Sequence, residues 1–443
     1  MAGSGHDTIK EPGRKRGVSG TVLMGALLVA LLVAAQFTGA GSARSDSELV
    51  LWHSYFGLEQ KALEKLVREY NALPGSMHVR LLQVSFDNLP QKITNAIPRG
   101  QGPDLFIFAH DRLGDWTGKR LIEPVGFWVD PSMARRFLSG TLDAFTAKGA
   151  LYGLPLTYKS VALFYNKDLV PRPPRTTDEL LAMGHRLTDR GKGRYGLVYQ
   201  ATNVYFHAPW LYGFGGRMLR RKGCGYAPDI VSNQAITALK FARRLAGPHG
   251  IVPPEVTGQL VTTLFRSGRA AMAISGPWFL SGLAGARHLH YGVAVLPIVS
   301  ETGKPAAPLL SVEGIFMSSR CRHKQAAFVF MKYLTSRRSS AFRLSMARQL
   351  PVDRDVARRV VKRDPVLAAF VQQRKTARLT PSTPMMRVVW RPYSKALAAA
   401  IARGKSPRKA LEEARWEVGR FLGSCLLAHE KGCQNRSAAR TQP

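Results

Sequence analysis

Apolar side chains follow two alternating spacings along the first part of the chain. Three runs have the apolar pattern of strands: residues 48–52, 78–84 and 104–108. Two runs between them repeat apolar residues at helical spacing: residues 58–73 and 89–97. Pro74 and Gly75 end the first of these helices. The order strand, helix, strand, helix, strand predicts an α/β lobe with a mainly parallel sheet, in which a ligand lies at the carboxyl ends of the strands.

The second part of the chain repeats this pattern after a change of sheet. Residues 153–166 are apolar, β-branched and aromatic around Pro155, which predicts a long strand crossing between two lobes. A second α/β pattern covers residues 177–295, with helices near residues 234–246 and 259–267. Residues 298–349 have strand and then helical character and are expected to return to the first lobe.

A chain of 443 residues is long enough for about two globular lobes. The expected fold is therefore two-lobed α/β, each lobe a mainly parallel sheet flanked by helices, with a ligand cleft between them. We predict that residues 48–157 and 298–350 form the N-terminal lobe and that residues 158–297 and 351–427 form the C-terminal lobe. Residues 428–443 are polar and are predicted to be a flexible tail.

The N-terminus has the layout of an export signal. Lys10 and residues 14–16 are basic, residues 18–35 are apolar, and residues 39–43 are small. This layout predicts that residues 1–43 are either a cleaved signal peptide or an uncleaved membrane anchor, because the apolar run is long enough for both. No cysteine ends the run, so a lipid anchor on a terminal cysteine is not expected.

Charge and cysteine content add two open questions. Lys and Arg number 64 against 29 Asp and Glu, a formal net charge of +35, which by itself suggests nucleic acid or an anionic membrane surface. The basic residues are scattered and accompany no nucleic-acid-binding motif, so a solvated basic surface is favoured and no nucleic-acid partner is expected. The four cysteines lack zinc-site spacing; Cys425 and Cys433 could pair in an oxidising compartment, or the cysteines could be buried and reduced.

Several short motifs occur in one order along the chain. They are Gly102-Pro103-Asp104 with Ala109-His110-Asp111-Arg112, Tyr165 to Leu169, Tyr205-Phe206, Phe265 to Gly268 with Gly276-Pro277-Trp278, and Met385-Met386 with Trp390. Together they resemble the maltose-binding branch of the extracellular solute-binding proteins of ABC sugar importers, over residues 48–420. The resemblance implies two lobes joined by hinge crossovers, a sugar in the cleft, and a permease pair with its ATPase as partners.

Carried over by position, the resemblance also implies a set of site residues. Asp111 and Arg112 would bond sugar hydroxyls from the first lobe, and Ala109 would line the cleft floor. Tyr205, Trp278 and Trp390 would stack on sugar faces from the second lobe. This agrees with the chemistry of a sugar ring, whose apolar faces need flat aromatics and whose hydroxyl rim needs carboxylates or guanidinium groups.

The sequence also departs from the family pattern. Ser54 and Tyr55 follow the first strand in place of a charged pair and would supply hydroxyl and ring contacts, and Phe108 replaces a tryptophan. Lys159 and Asn203 replace two cleft glutamates. One hypothesis is that Lys159 lets the pocket take an acidic or modified saccharide; the alternative is that Lys159 pairs with a carboxylate such as Glu313 and the ligand is neutral.

The function expected from these observations is capture of a carbohydrate for an ABC importer by a monomeric protein at the extracytoplasmic face of the inner membrane. The protein would be membrane-associated through the permease or an uncleaved anchor. No metal, cofactor or catalytic residue is expected, because the chain lacks the usual phosphate, dinucleotide and hydrolase motifs. Two alternatives stay open: a membrane-tethered basic protein that binds an anionic polymer, and a glycoside-processing enzyme using Asp111 with Glu313.

Overall fold

The computed structural model describes residues 48–222, 225–247, 249–253 and 256–423. The predicted export segment, the predicted tail, Cys224, Cys425 and Cys433 lie outside the described residues. Cys321 is buried. None of the helices in the described ranges has the length and apolarity needed to cross a membrane.

The secondary structure is mixed α/β. The strands are β1 (Glu48–His53), β2 (His78–Gln83), β3 (Leu105–Ala109), β4 (Thr146–Ala147), β5 (Ala150–Leu151), β6 (Gly153–Lys159), β7 (Ala162–Asn166), β8 (Tyr195–Val198), β9 (Leu219–Lys222), β10 (Gly225–Pro228), β11 (Ala270–Ser275), β12 (Tyr291–Ala294), β13 (Ile298–Val299), β14 (Lys304–Pro305), β15 (Leu309–Met317) and β16 (Arg378–Leu379). The helices are α1 (Gly57–Asn71), α2 (Leu89–Ala96), α3 (Leu113–Gly118), α4 (Pro131–Arg135), α5 (Thr177–Leu187), α6 (Val204–Gly213), α7 (Asn233–Ala246), α8 (Gly258–Arg266), α9 (Phe279–Gly282), α10 (Lys324–Leu334), α11 (Arg337–Ala347), α12 (Arg354–Arg363), α13 (Pro365–Gln373), α14 (Pro384–Ile401) and α15 (Pro407–Gly423).

Two sheets organise the described residues. The first has the order β16-β15-β3-β1-β2, with β6 also paired to β15, and the second has the order β12-β7-β11-β8. The two-lobed α/β fold is confirmed, but the sheets are mixed where mainly parallel sheets were expected. Strands β15 and β3 pair antiparallel, as do β7 and β11, while β1 pairs with β3 and β8 with β11 in parallel. The antiparallel pairs arise at the strand that follows each change of sheet, because β15 is antiparallel to β3 and β6, and β7 is antiparallel to β11 and β12.

The chain passes between the two main sheets twice. The long strand predicted over residues 153–166 is two strands, because β6 ends in the first sheet at Lys159 and β7 begins in the second at Ala162. The chain leaves the second sheet after Ala294 and rejoins the first at Leu309, with the β13–β14 hairpin between. The predicted lobe boundaries after residues 157, 297 and 350 stay predictions.

The core of the first lobe is aromatic and packs against the sheet. Phe106 contacts Trp116 edge to face at a centroid distance of 5.0 Å and stacks on Phe316 at 5.2 Å. Asp104, before β3, accepts a hydrogen bond from the Val50 amide of β1 at 3.0 Å. The turn that directly follows β3 carries Asp111 and Arg112.

Candidate functional site

A cavity of about 560 Å³ lies between the end of the first sheet and the helices of the second lobe. Eight of the predicted site residues line it: Ala109, Asp111, Arg112, Lys159, Asn203, Tyr205, Trp278 and Trp390. Nine further residues line it as well: Phe86, Phe206, Ser311, Glu313, Thr380, Pro381, Met386, Arg387 and Arg391. Three predicted site residues, Ser54, Tyr55 and Phe108, are not part of this lining. The structure therefore brings most of the predicted set to one place.

One wall of the cavity is aromatic. Tyr205 comes from the first turn of α6 and lies 6.2 Å from the Trp278 ring, centroid to centroid. Trp278 is 43% exposed and follows β11, and Trp390 is half-buried on α14. A methyl group on Gly276 would overlap the Trp278 ring, so the absence of a side chain at Gly276 lets that ring fold back over the backbone.

The opposite wall is polar and begins at the turn after β3. Asp111 and Arg112 form an ion pair at 3.8 Å within the 3-10 turn His110–Arg112. Although the Asp111 side chain is 37% exposed overall, its Oδ1 is buried and has no hydrogen-bond partner within the described chain, and the same is true of Arg112 Nε. Burial raises the pKa of Asp111 to about 6, against the smaller lowering effect of Arg112.

Lys159 belongs to a cluster of buried charges at the inner end of the cavity. Its Nζ donates to Glu313 Oε1 at 2.8 Å and lies 3.9 Å from Glu59 Oε1. Gln349 Nε2 donates to the same Glu59 oxygen at 3.1 Å. Burial by itself would lower the pKa of Lys159, but the two carboxylates outweigh it and raise the pKa, so Lys159 stays charged. The alternative in which Lys159 pairs with Glu313 is therefore the one that the structure contains.

The sequence also departs from the family pattern at Asn203, Phe108, Tyr55 and Ser54, and the structure shows the surroundings of each. Asn203 reaches the cavity, but its Oδ1 accepts the backbone N–H of Tyr205 at 2.9 Å and caps α6. Phe108 is 3% exposed and stacks on Phe86 at 4.8 Å, so Phe86 covers it from the cavity. Tyr55 is also buried; burial raises its pKa well above 10, and Glu313 and Glu59 add to this effect. Ser54 is half-buried at the end of β1.

Within the described ranges, no group of three or more His, Cys, Asp or Glu side chains could hold a metal ion. The cavity instead offers two carboxylates, a phenol, an ammonium group, three guanidinium groups and two indole rings. These groups bind a ligand by hydrogen bonds and ring contacts.

The sequence of this chain matches the model of the bacterial extracellular solute-binding protein family over residues 57–340. The chain belongs to this family. A maltotriose-binding protein of Pyrococcus abyssi is 30% identical over 349 residues, which cover 78% of this chain and 75% of that protein. A maltooligosaccharide ABC transporter solute-binding lipoprotein of Streptococcus pneumoniae is 25% identical over 71% of this chain and 75% of its own length. The family predicted from the motifs is thus confirmed.

A solved structure of the same fold supports this membership. A cyclo/maltodextrin-binding protein complexed with maltotetraose is 28% identical to this chain and has a TM-score of 0.77. The match covers 86% of this chain and 98% of that one. The cavity of this solute-binding protein thus lies on a scaffold shared with a saccharide-bound relative.

Sequence reasoning left several cavity residues of this solute-binding protein out of the site. Glu313 interrupts the apolar strand β15, and that interruption was the available signal of a buried charge. Arg387 precedes Trp390 by nearly one helical turn and pairs with Asp115 at 2.7 Å. Phe86 carries no such signal, because an aromatic residue in a loop gives no direction for its side chain.

Proposed function

We propose that the chain is the extracytoplasmic substrate-binding component of an ABC importer and that it captures a neutral oligosaccharide in the cavity between its lobes. It delivers the ligand, chemically unchanged, to a membrane permease and its ATPase. It acts as a monomer on the periplasmic or extracytoplasmic side of the bacterial inner membrane.

The observation that carries this proposal is a set of buried polar atoms that have no hydrogen-bond partner in the described chain, all on residues that line the cavity. They are Glu313 Oε2, Asp111 Oδ1, Arg112 Nε and the Tyr205 hydroxyl. Buried polar groups left without a hydrogen bond cost about 1–3 kcal/mol each, so a ligand that bonds all four gains affinity. The two carboxylate oxygens accept hydrogen bonds, Arg112 Nε donates one, and the Tyr205 hydroxyl can do both. Sugar hydroxyls, which donate and accept, match this set.

The aromatic wall supports the same ligand class. Trp278 and Trp390 line the same cavity as these polar atoms, and the apolar faces of pyranose rings pack on aromatic rings. The relatives support it too, since they are named for maltotriose and maltooligosaccharides and one was solved with maltotetraose. We therefore propose a maltooligosaccharide or a similar neutral saccharide as the ligand.

We further propose that the lobes close on the ligand by rotation about the two crossings, at residues 160–161 and 295–308. The site residues come from both sides of these crossings, so ligand binding favours the closed population. Small-angle scattering with and without maltotriose should show a smaller radius of gyration with the sugar. An unchanged radius at saturation would count against closure.

A thermal-shift screen tests the function itself. A ligand that binds only the folded protein raises the apparent melting temperature as its concentration exceeds its dissociation constant. We expect glucose-based oligosaccharides to raise it and heparin-like polyanions to raise it only at low salt, if at all. The bound sugar should be recovered intact by chromatography. Recovery of cleaved sugar would instead support the alternative of a glycoside-processing enzyme that uses Asp111 with Glu313.

A further inference from the structure

Glu313 is the more buried of the two carboxylates that line the cavity. It is 6% exposed on β15 and lines the cavity. Oε1 accepts the Lys159 ammonium at 2.8 Å, whereas Oε2 is buried and has no partner within the described residues. One oxygen is therefore held by Lys159, and the other has no hydrogen-bond partner within the described residues although Glu313 lines the cavity.

The charge of Lys159 is fully engaged by this cluster. Glu59 and Glu313 both approach its Nζ, at 3.9 and 2.8 Å. The cluster contains two carboxylates and one ammonium, so it carries a net negative charge when all three groups are ionised. An anionic ligand beside this cluster meets a net negative charge, because Lys159 is already paired. The other cations that line the cavity are Arg112, which pairs with Asp111, Arg387, which pairs with Asp115, and Arg391.

Tyr205 on α6 lines the same cavity as Glu313. Its hydroxyl is buried and has no hydrogen-bond partner among the described residues. Burial raises the pKa of Tyr205, and the Glu313 carboxylate raises it further. A ligand hydroxyl between them can donate to Glu313 and accept from Tyr205.

We propose that Glu313 is a specificity-determining ligand contact: its free Oε2 accepts a ligand hydroxyl that also bonds Tyr205, and the Glu59–Lys159–Glu313 cluster discriminates against anionic saccharides. This inference rests on the proposed function. The sequence left two alternatives open, an acidic saccharide bound through Lys159 and a neutral ligand. This inference favours the neutral ligand and assigns the contact to Glu313 on β15.

Calorimetric titration with two probes tests this inference: maltotriose, and a maltotriose in which one glucose is replaced by glucuronate. Wild-type protein should bind maltotriose at least about tenfold more tightly than the uronate, since like charges disfavour the anion. Glu313→Gln should weaken maltotriose binding about tenfold or more, the scale of a hydrogen bond to a charged group. The same change should reduce the discrimination against the uronate. It leaves Lys159 paired with Glu59, so we expect the variant to fold.

The matched control is Glu123→Gln. Glu123 Oε1 accepts Lys324 Nζ at 2.7 Å in the same kind of pair, but neither residue lines the cavity, so both affinities should stay as in wild type. Tyr205→Phe removes the donor on the other side and should also weaken maltotriose binding, which keeps the test valid if Glu313→Gln fails to fold.

Two results would overturn the inference alone: maltotriose affinity unchanged in Glu313→Gln and Tyr205→Phe, or a wild-type preference for the uronate. If the wild-type protein binds no neutral oligosaccharide at all, the proposed function fails together with the inference.

Discussion

At the scale of single residues, exposure separates the tryptophans of the cavity from those of the core. Trp278 is 43% exposed, whereas Trp116 is 1% exposed and contacts both Phe106 and Phe316. A ring that serves the ligand can be removed with little loss of fold. A ring that fills the core cannot.

We therefore expect Trp278→Ala and Trp390→Ala each to weaken maltotriose binding while the melting temperature stays near that of wild type. The scale is about 0.5–1.5 kcal/mol of ring contact per aromatic group, or roughly two- to tenfold in affinity. Trp116→Ala is the control and should lower the free energy of unfolding by about 3–5 kcal/mol. Unfolding of either cavity variant would place that tryptophan in the core instead.

Asp111 gives the site a dependence on pH. Burial raises its pKa to about 6, above the value of about 3.9 in an unfolded chain. Folding therefore favours the protonated form of Asp111. The contribution of Asp111 to stability falls as the pH rises from about 3.9, the unfolded pKa, through about 6, the folded pKa. A ligand hydroxyl that donates to Asp111 favours the ionised form, so ligand affinity changes in the opposite sense.

The prediction is that maltotriose affinity, measured by calorimetry between pH 5 and pH 8, rises as the pH passes through about 6. Asp111→Asn should remove this rise, because the amide does not titrate. If the variant keeps the same pH profile as wild type, another group such as Glu59 is responsible, since burial also raises the pKa of Glu59.

The residues of the site also show where sequence reasoning ends. Trp278 and Trp390 were predicted because their motifs carry them. The partner of Lys159 could be named only as one of several carboxylates, because Glu313 lies 154 positions away along the chain. That contact depends on the β6–β15 pairing, which no local pattern reveals.

At the scale of elements, α14 is held against the turn that follows β3. The Gly114 amide donates to the Ser382 carbonyl at 3.0 Å, just before α14, and Arg387 on α14 pairs with Asp115 on α3 at 2.7 Å. These contacts join the polar wall of the cavity to the helix that carries Trp390. They therefore support the geometry of both walls.

Asp115→Asn should weaken maltotriose binding by no more than about 1 kcal/mol, roughly fivefold, because Arg387 is largely exposed and such pairs are weak. The loss should shrink in high salt, which screens the pair in wild type. Glu417→Gln, which removes the exposed Lys395–Glu417 pair, is the control and should have no effect on affinity. A loss in Asp115→Asn that is equally large at every salt concentration would argue against an ion-pair origin.

Most elements follow from local pattern, and their pairing does not. Strand character over residues 309–317 and helical character over residues 324–334 match β15 and α10. The predicted helices at residues 234–246 and 259–267 correspond to α7 and α8 within one residue. The strand expected over residues 153–166 is split, because both halves are equally apolar and only the tertiary structure assigns them to different sheets.

At the scale of the whole molecule, the formal charge of +35 does not extend to the inner end of the cavity. Lys159 is compensated there by Glu59 and Glu313, and Arg112 lies beside Asp111. Of the two other cations that line the cavity, Arg387 pairs with Asp115, and Arg391 adds a positive charge. Composition alone pointed to anionic partners, whereas the local arrangement of charges favours a neutral one. A neutral ligand exchanges few counterions, so its binding should hardly respond to salt.

Calorimetric titration of the wild-type protein with maltotriose at low and high salt, followed by chromatography of the recovered sugar, tests the central claim most directly. We predict saturable binding of one sugar per chain, nearly equal affinity at both salt concentrations, and intact maltotriose after release. An absence of heat with maltotriose and with longer neutral oligosaccharides, or the recovery of shortened sugar, would contradict this account.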